Sequence, residues 1–228
     1  MAAPCPCPPL SPYLLKGMKN SYIFLRHGHS LANEQNIIVS SLEHGVKPEY
    51  GLSAKGVEEA KHAGLQFKLM LEKLPKAPVK FITSPFSRAI ETATHIAHEV
   101  GIARDQIDLD DNLRERYFGQ ALELKPAHEN YKHIHAEDES SKGTKGPGND
   151  GESANAVAER VMKTIKTIEE VYDGHIIVLS SHGDTCTIGQ MALRGADIST
   201  HFKHPLTNCE LRHICEDHGH HSHHAEKM

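Results

Sequence analysis

The sequence predicts a single α/β domain arranged as a three-layer sandwich, with a mostly parallel central sheet flanked by helices. Three observations carry this expectation. Short β-rich runs at 22–26, 79–83 and 175–181 alternate with long stretches of helical periodicity. The first run, YIFLR, is apolar almost throughout and shows no alternation, which suits a strand covered on both faces. A chain of 228 residues with 38% apolar side chains is also long enough to bury roughly 70% of its unfolded surface without staples.

The elements follow in order. Tyr22 to Arg26 reads as a buried parallel strand that ends abruptly at His27-Gly28. From Ser53, a cap residue, Val57, Ala60, Gly64, Phe67 and Leu71 recur at three- and four-residue spacing, an amphipathic helix stopped by Pro75 and Pro78. Val79 to Thr83 is the second strand. Ser84-Pro85 then predicts a helix start, with a cap residue followed by proline at the first helical position, and the helix runs to about Val100 before Gly101. Residues 125–151 are weak in periodicity and rich in His, Lys, Glu, Ser and Gly, so they read as a loop or lid. Gly143, Gly146, Pro147, Gly148 and Gly151 make it a mobile flap. Glu152-Ser153 begins a helix bearing Val157, Val161, Ile165, Ile168 and Tyr172, closed by Asp173-Gly174 ahead of the strand HIIVLSS. A last strand is expected near 208–214. The domain spans 20–216, between a Pro-rich disordered leader (1–19) and a His-rich disordered tail (217–228).

Composition narrows the partners. A formal net charge of −5 without a dense Lys/Arg run argues against nucleic acid or an anionic membrane, which leaves a small molecule. Oligomeric state has no signature here. The longest apolar runs are a handful of residues, far short of the roughly 20 a membrane-spanning helix needs, and the N-terminus lacks a secretory pattern. Five cysteines form neither a disulfide framework nor a zinc spacing, so reduced thiols and a cytoplasmic location are expected. His218, His220, His221, His223 and His224 can capture metal opportunistically, but no resident metal site and no cofactor is expected.

In a parallel sheet, residues just past the carboxyl ends of strands converge on one crevice. Here those residues are Arg26-His27-Gly28, Ser84 to Arg88, and Ser181-His182-Gly183. Two arginines offer planar donor forks for phosphate oxygens. A neutral imidazole is a competent nucleophile toward phosphorus.

Six blocks, in order, resemble the histidine phosphatase superfamily, phosphoglycerate mutase-like group. They are Leu25-Arg26-His27-Gly28 with Ser30 and Asn33; Gly51-Leu52-Ser53 with Gly56; Ser84 to Ala89 with Thr92-Ala93; Leu113-Arg114-Glu115-Arg116; Gly151-Glu152-Ser153; and Ser181-His182-Gly183. The resemblance covers residues 20 to 215. It implies that His27 is the nucleophile that becomes phosphohistidine, and that Arg26, Arg88 and His182 clamp the phosphoryl oxygens. It makes Glu115 the proton donor, and places Ser30, Asn33 and Gly183 near the phosphate. Glu123 or Glu129 could stand in for Glu115. Arg114 and Arg116 either read substrate or pair with Asp110 and Asp111, and the sequence assigns Asp184 no role. The superfamily holds hydrolases and mutases. The stretch 117–151 contains Lys125, Lys132, Lys142 and Lys145 but no arginine, so a second phosphate would lack a forked partner. That favours a phosphomonoester hydrolase over a cofactor-dependent phosphoglycerate mutase. A non-catalytic phospho-ligand binding protein is a third reading, opposed by the full set of reactive residues.

Overall fold

Tyr22, Ile23, Phe24 and Leu25 are each at most 1% exposed, so both faces of the first strand are covered, as its unbroken apolar run requires. This strand, β1 (Ser21–Arg26), pairs in parallel with β4 (Ile176–Ser181), and β4 pairs in parallel with β2 (Val79–Thr83). A two-residue strand, β3 (Asp108–Leu109), extends the sheet in parallel beyond β2, and β5 (Leu211–Ile214) closes the other edge antiparallel to β1. The order is β3-β2-β4-β1-β5. The computed structural model describes residues 17–215. Most of the expected leader, with Cys5 and Cys7, and the whole histidine-rich tail lie outside the described residues.

The helices divide between the two faces. On one side, α3 (Ala54–Lys73) and α4 (Ser87–Glu99) set Ala60, Ala63, Phe67, Ala93, Ile96 and Ala97 against Ile23, Leu25, Phe81 and Val178. On the other, α6 (Ala154–Val171) and α7 (Gly183–Leu193) set Val157, Val161, Ile165 and Ile188 against Tyr22, Phe24, Ile177 and Leu179. Alternate residues of each strand feed alternate cores, the two-residue period of a strand made visible. Two short helices, α1 (Leu31–Glu34) and α2 (Leu42–Gly45), lie in the long connection after β1.

Serine caps act as expected at α3, where Ser53 Oγ accepts from the Gly56 amide, and at α6, where Ser153 Oγ accepts from the Ala156 amide. At α4 the expectation fails. The cap position is Phe86, and Ser84 lies two residues before it. Ser84 is still the last paired turn of the sheet, its amide donating to the Ser180 carbonyl at 2.9 Å, and its hydroxyl is engaged with His182.

The larger departure is over 125–151. A 15-residue helix, α5 (Ala127–Ser141), stands where the sequence reads as a loop. Its inward residues are Tyr131, Ile134, His135 and Asp138, at i, i+3, i+4 and i+7. The helical period is there, but Ile134 is its only aliphatic member. Packing with Ile38 and Phe118 holds this helix over the carboxyl end of the sheet. Two of the glycines that follow, Gly146 and Gly151, sit where the backbone packs too closely for any side chain, whereas Gly148 stands in left-handed backbone with open space around it. A Cβ on Gly146 would sit 1.9 Å from the Gly151 carbonyl oxygen, and one on Gly151 would sit 2.2 Å from that of Pro147.

Candidate active site

The cavity of about 250 Å³ at the carboxyl end of the sheet is lined by Arg26, His27, Ser30, Asn33, Arg88, Glu115 and Gly183, among others. All seven come from four of the six blocks read in the sequence, gathered by the parallel strand order. His27 leaves β1 at its last paired residue, its amide donating to the Ser181 carbonyl at 3.0 Å. The turn is tight. A Cβ on Gly28 would meet both Gly56 O and Cys209 Sγ at 2.9 Å, so no larger residue fits there.

His27 is buried, and its ring is fixed at both nitrogens. Nδ1 lies 2.7 Å from the Gly28 carbonyl and must carry the proton there, which leaves the Nε2 lone pair to accept from Arg88 Nε at 3.1 Å. Burial first, then the charges of Arg88 and Arg26, hold its pKa well below the usual imidazole range. The ring is therefore neutral at physiological pH, with Nε2 unprotonated and its lone pair held by the Arg88 Nε–H. His182 is fully buried beside it, ring centroids 5.1 Å apart. Its Nε2 lies 2.8 Å from Ser84 Oγ, and burial followed by Arg88 holds its pKa low as well.

Unpaired donors surround this imidazole. Among the described residues, the buried side-chain nitrogens without a hydrogen-bond partner are Arg26 Nε, Arg88 Nη1, His182 Nδ1 and His135 Nε2. Buried polar atoms are normally paired. Three of these four belong to the residues that flank His27, which is the arrangement an oxyanion-rich group would satisfy. Arg26 Nη1 is fixed on the Leu206 carbonyl at 2.6 Å and Arg88 Nη2 on that of Val39 at 2.9 Å, so both guanidinium groups are held before any ligand arrives.

Glu115 is buried at the cavity wall. Its Oε1 accepts from the Arg116 amide (2.8 Å), the Thr185 amide (3.3 Å) and Thr185 Oγ1 (3.2 Å). Burial and the nearby Asp184 carboxylate nevertheless raise its pKa. A carboxyl anchored through Oε1 presents Oε2 as the oxygen that can carry a proton. Glu123 and Glu129 are no substitutes. Glu123 Oε2 accepts from Ser40 Oγ at 2.7 Å and its Oε1 from Ser41 Oγ at 2.8 Å, away from the cavity, while Glu129 is exposed on α5.

Ser30 and Asn33 line the cavity, but each serves the other as a capping box on α1: Ser30 Oγ accepts from the Asn33 amide at 3.2 Å and Asn33 Oδ1 from the Ser30 amide at 3.0 Å. Arg116 departs further from expectation. It is fully buried behind the cavity wall, bidentate on Asp138 of α5 at 2.6 and 2.8 Å, and 3.3 Å from Asp184 Oδ2. It neither faces the cavity nor pairs with Asp110 or Asp111. Arg114 pairs with Glu152 at 3.5 Å. Asp184, left without a role by the sequence, is the second acceptor of Arg116, and its pKa is lowered: burial pushes it up, but His201, His135 and Arg116 outweigh that.

Among the described residues, His135, Asp184 and His201 bring ligand-type atoms within 4.8 Å of one another. Both nitrogens of His201 are already engaged, Nδ1 with Thr187 Oγ1 at 2.9 Å and Nε2 with Asp138 Oδ2 at 3.3 Å. The Arg116 guanidinium bridges Asp138 and Asp184, so the carboxylate of this cluster already has a cationic partner.

The sequence pattern described as Histidine phosphatase superfamily (branch 1) matches residues 22–225. The chain belongs to this superfamily. Similar curated proteins include a phosphoglycerate mutase of Schizosaccharomyces pombe, 29% identical over 77% of this chain and 80% of that protein. Another is the 2,3-bisphosphoglycerate-dependent phosphoglycerate mutase 2 of Lactobacillus johnsonii, 35% identical over 42% of this chain. That match spans 38% of the Lactobacillus protein, and a match to the agropine synthesis reductase of Rhizobium rhizogenes spans 24% of that one. The superfamily fold is shared with a mycobacterial glucosyl-3-phosphoglycerate phosphatase (TM-score 0.68, 21% identity, 85% of this chain and 91% of that one). It is shared also with a phosphoserine phosphatase of Entamoeba histolytica (TM-score 0.64, 20% identity, 88% and 93%). Within the superfamily frame, sequence reading missed Ser84 as the partner of His182, and Tyr131 and His135 as cavity residues. Ser84 was visible as the residue ending a strand. Tyr131 and His135 share a helical face that apolar counting alone does not register.

Proposed function

We propose that this histidine phosphatase superfamily member is a phosphomonoester hydrolase working through phosphohistidine. The observation that carries the proposal is the neutral, doubly fixed His27 with three unpaired donors around it. In the first step His27 Nε2 forms a bond to phosphorus as the bond to the leaving oxygen breaks, and that oxygen takes the proton of Glu115. In the second, Glu115, now a carboxylate, removes a proton from water. The resulting oxygen bonds to phosphorus, the N–P bond breaks, and inorganic phosphate leaves with Glu115 protonated again. Arg26, Arg88 and His182 stabilise charge on the transferring group, the part a divalent cation plays in other phosphoryl-transfer enzymes. Similarity to phosphoglycerate mutases favours a second reading, transfer to a monophosphorylated acceptor. That reaction needs a second anion site, and α5, which covers the cavity, carries Lys132 as its only Lys or Arg, at an exposed position.

The deciding experiment assays phosphate release from a panel of small phosphomonoesters alongside interconversion of 3- and 2-phosphoglycerate, with and without 2,3-bisphosphoglycerate and EDTA. The proposal expects phosphate release, no stimulation by the bisphosphate and no loss in EDTA. Interconversion about a hundredfold faster than release would establish the mutase reading instead.

A further inference from the structure

Glu123 is a buried carboxylate that the chemistry above leaves unused. Its side chain is 2% exposed, and five donors converge on it. They are the Ser40 amide (3.0 Å) and hydroxyl (2.7 Å) on Oε2, the Ser41 hydroxyl (2.8 Å) and His44 Nδ1 (2.9 Å) on Oε1, and the Ser41 amide at 3.2 Å. Burial pushes the Glu123 pKa up, but the bonds from Ser40, His44 and Ser41 outweigh it, so the group is ionised. A buried carboxylate costs free energy unless it is fully paired, and here every partner comes from one short segment 79 to 83 positions away in the chain. The carboxylate fixes that segment.

Val39 lies just before the gripped serines. On its other side Ile38 is held as well, its amide donating to the Lys125 carbonyl at 2.9 Å and its carbonyl accepting from the Leu124 amide at 2.8 Å. Residues 123–125 thus bracket Val39 on both sides. The Val39 carbonyl accepts from Arg88 Nη2 at 2.9 Å.

That bond gains weight during the reaction. In the resting enzyme Arg88 is anchored twice, by the Val39 carbonyl and by His27 Nε2, which accepts from Arg88 Nε at 3.1 Å. Once Nε2 bonds to phosphorus its lone pair is spent, and Arg88 Nε turns to the phosphoryl oxygens together with the unpaired Nη1. Among the described residues, Val39 then supplies the remaining protein acceptor for this guanidinium. A shift of about 1 Å in such a group can cost about a hundredfold in rate.

We infer that Glu123 is a positioning residue for phosphoryl transfer: through Ser40 and Ser41 it fixes the Val39 carbonyl, which keeps Arg88 aimed at the phosphoryl group when His27 is no longer its partner. The inference rests on the phosphohistidine reading of His27.

The test measures kcat and KM for phosphate release from p-nitrophenyl phosphate, or from the fastest ester of the panel above, in a double-mutant cycle of Glu123→Gln with Arg88→Ala. Glu123→Gln keeps the side-chain length but puts an NH2 group where donors converge. It should lower kcat about 10- to 100-fold while moving KM less than about threefold. In the Arg88→Ala background the same change should cost less than about threefold more, because the group it positions is gone. A Glu123 that only supported the fold would lower both backgrounds alike. Ser41→Ala, which removes one donor, should show a smaller loss of about three- to tenfold, again only with Arg88 present, and it decides the matter if Glu123→Gln fails to fold. Native kcat in the folded variants, or equal losses with and without Arg88, would overturn the inference while leaving hydrolysis intact. Native enzyme that releases phosphate yet carries none on His27 after an alkaline quench would instead overturn the phosphohistidine reading itself.

Discussion

Glu115 must give a proton in one half-reaction and take one in the next, and its surroundings suit both. Three hydrogen bonds on Oε1 fix the carboxyl, and burial with Asp184 nearby keeps it protonated above the usual carboxylate range. His27 is held neutral below the usual imidazole range. In free enzyme, kcat/KM should therefore be bell-shaped, falling on the acid side as His27 protonates and on the alkaline side as Glu115 ionises. Glu115→Gln keeps the shape but can neither donate nor accept. On a substrate with a poor leaving group it should lose about 10²- to 10⁴-fold in rate and with it the alkaline limb. A rate within about tenfold of the native enzyme would mean that another group supplies the proton. Residues such as His27 and Arg88 were legible in the sequence because they stand directly after strands or at the start of the helix that follows. Arg116 was misread because its partners, Asp138 and Asp184, lie 22 and 68 positions away. No local pattern reveals such a pairing.

At the scale of elements, α5 is attached to the site by a buried ion pair together with a small apolar cluster around Ile134, rather than by a long apolar stripe. Arg116 and Asp138 are both fully buried, Asp138 also receives His201, and Ile134 is the helix's one buried aliphatic residue. Burial pushes the Asp138 pKa up, but the hydrogen bonds from His201 and Arg116 outweigh it. Removing one member leaves an uncompensated buried charge. Arg116→Met should cost about 3–5 kcal/mol in urea unfolding, and Arg116→Met with Asp138→Leu should cost less than the single change. A double variant at least as unstable as the sum of its parts would show that the pair does not act as a unit. The same feature explains why the sheet, α3 and α6 were legible and α5 was not. Strands and helices that bury Val, Ile, Leu and Phe announce their period, whereas a helix that buries Tyr, His and Asp has the same period in residues that usually mark loops.

Across the whole molecule, the site's chemistry carries a stability cost that depends on pH. His27 and His182 both have pKa values held well below 6.5, so as pH falls past that value the unfolded chain takes up protons the folded one refuses. Stability then declines with falling pH, by up to about 1.4 kcal/mol per pH unit per group. Glu115 acts in the opposite sense over its own window. Its raised pKa means the folded state holds a proton the unfolded state has released above about pH 4.5. The urea midpoint should fall between pH 7 and 5, and His27→Asn with His182→Asn should flatten that fall. Equal slopes in the two proteins would place the pH dependence elsewhere among the 19 histidines. All of this rests on His27 as the group that carries phosphate. The most direct test is mass spectrometry on enzyme quenched in alkali during turnover, conditions under which a phosphoramidate survives. The account predicts phosphate on His27 and none in His27→Ala; phosphate on another residue, or on none while turnover proceeds, would contradict it.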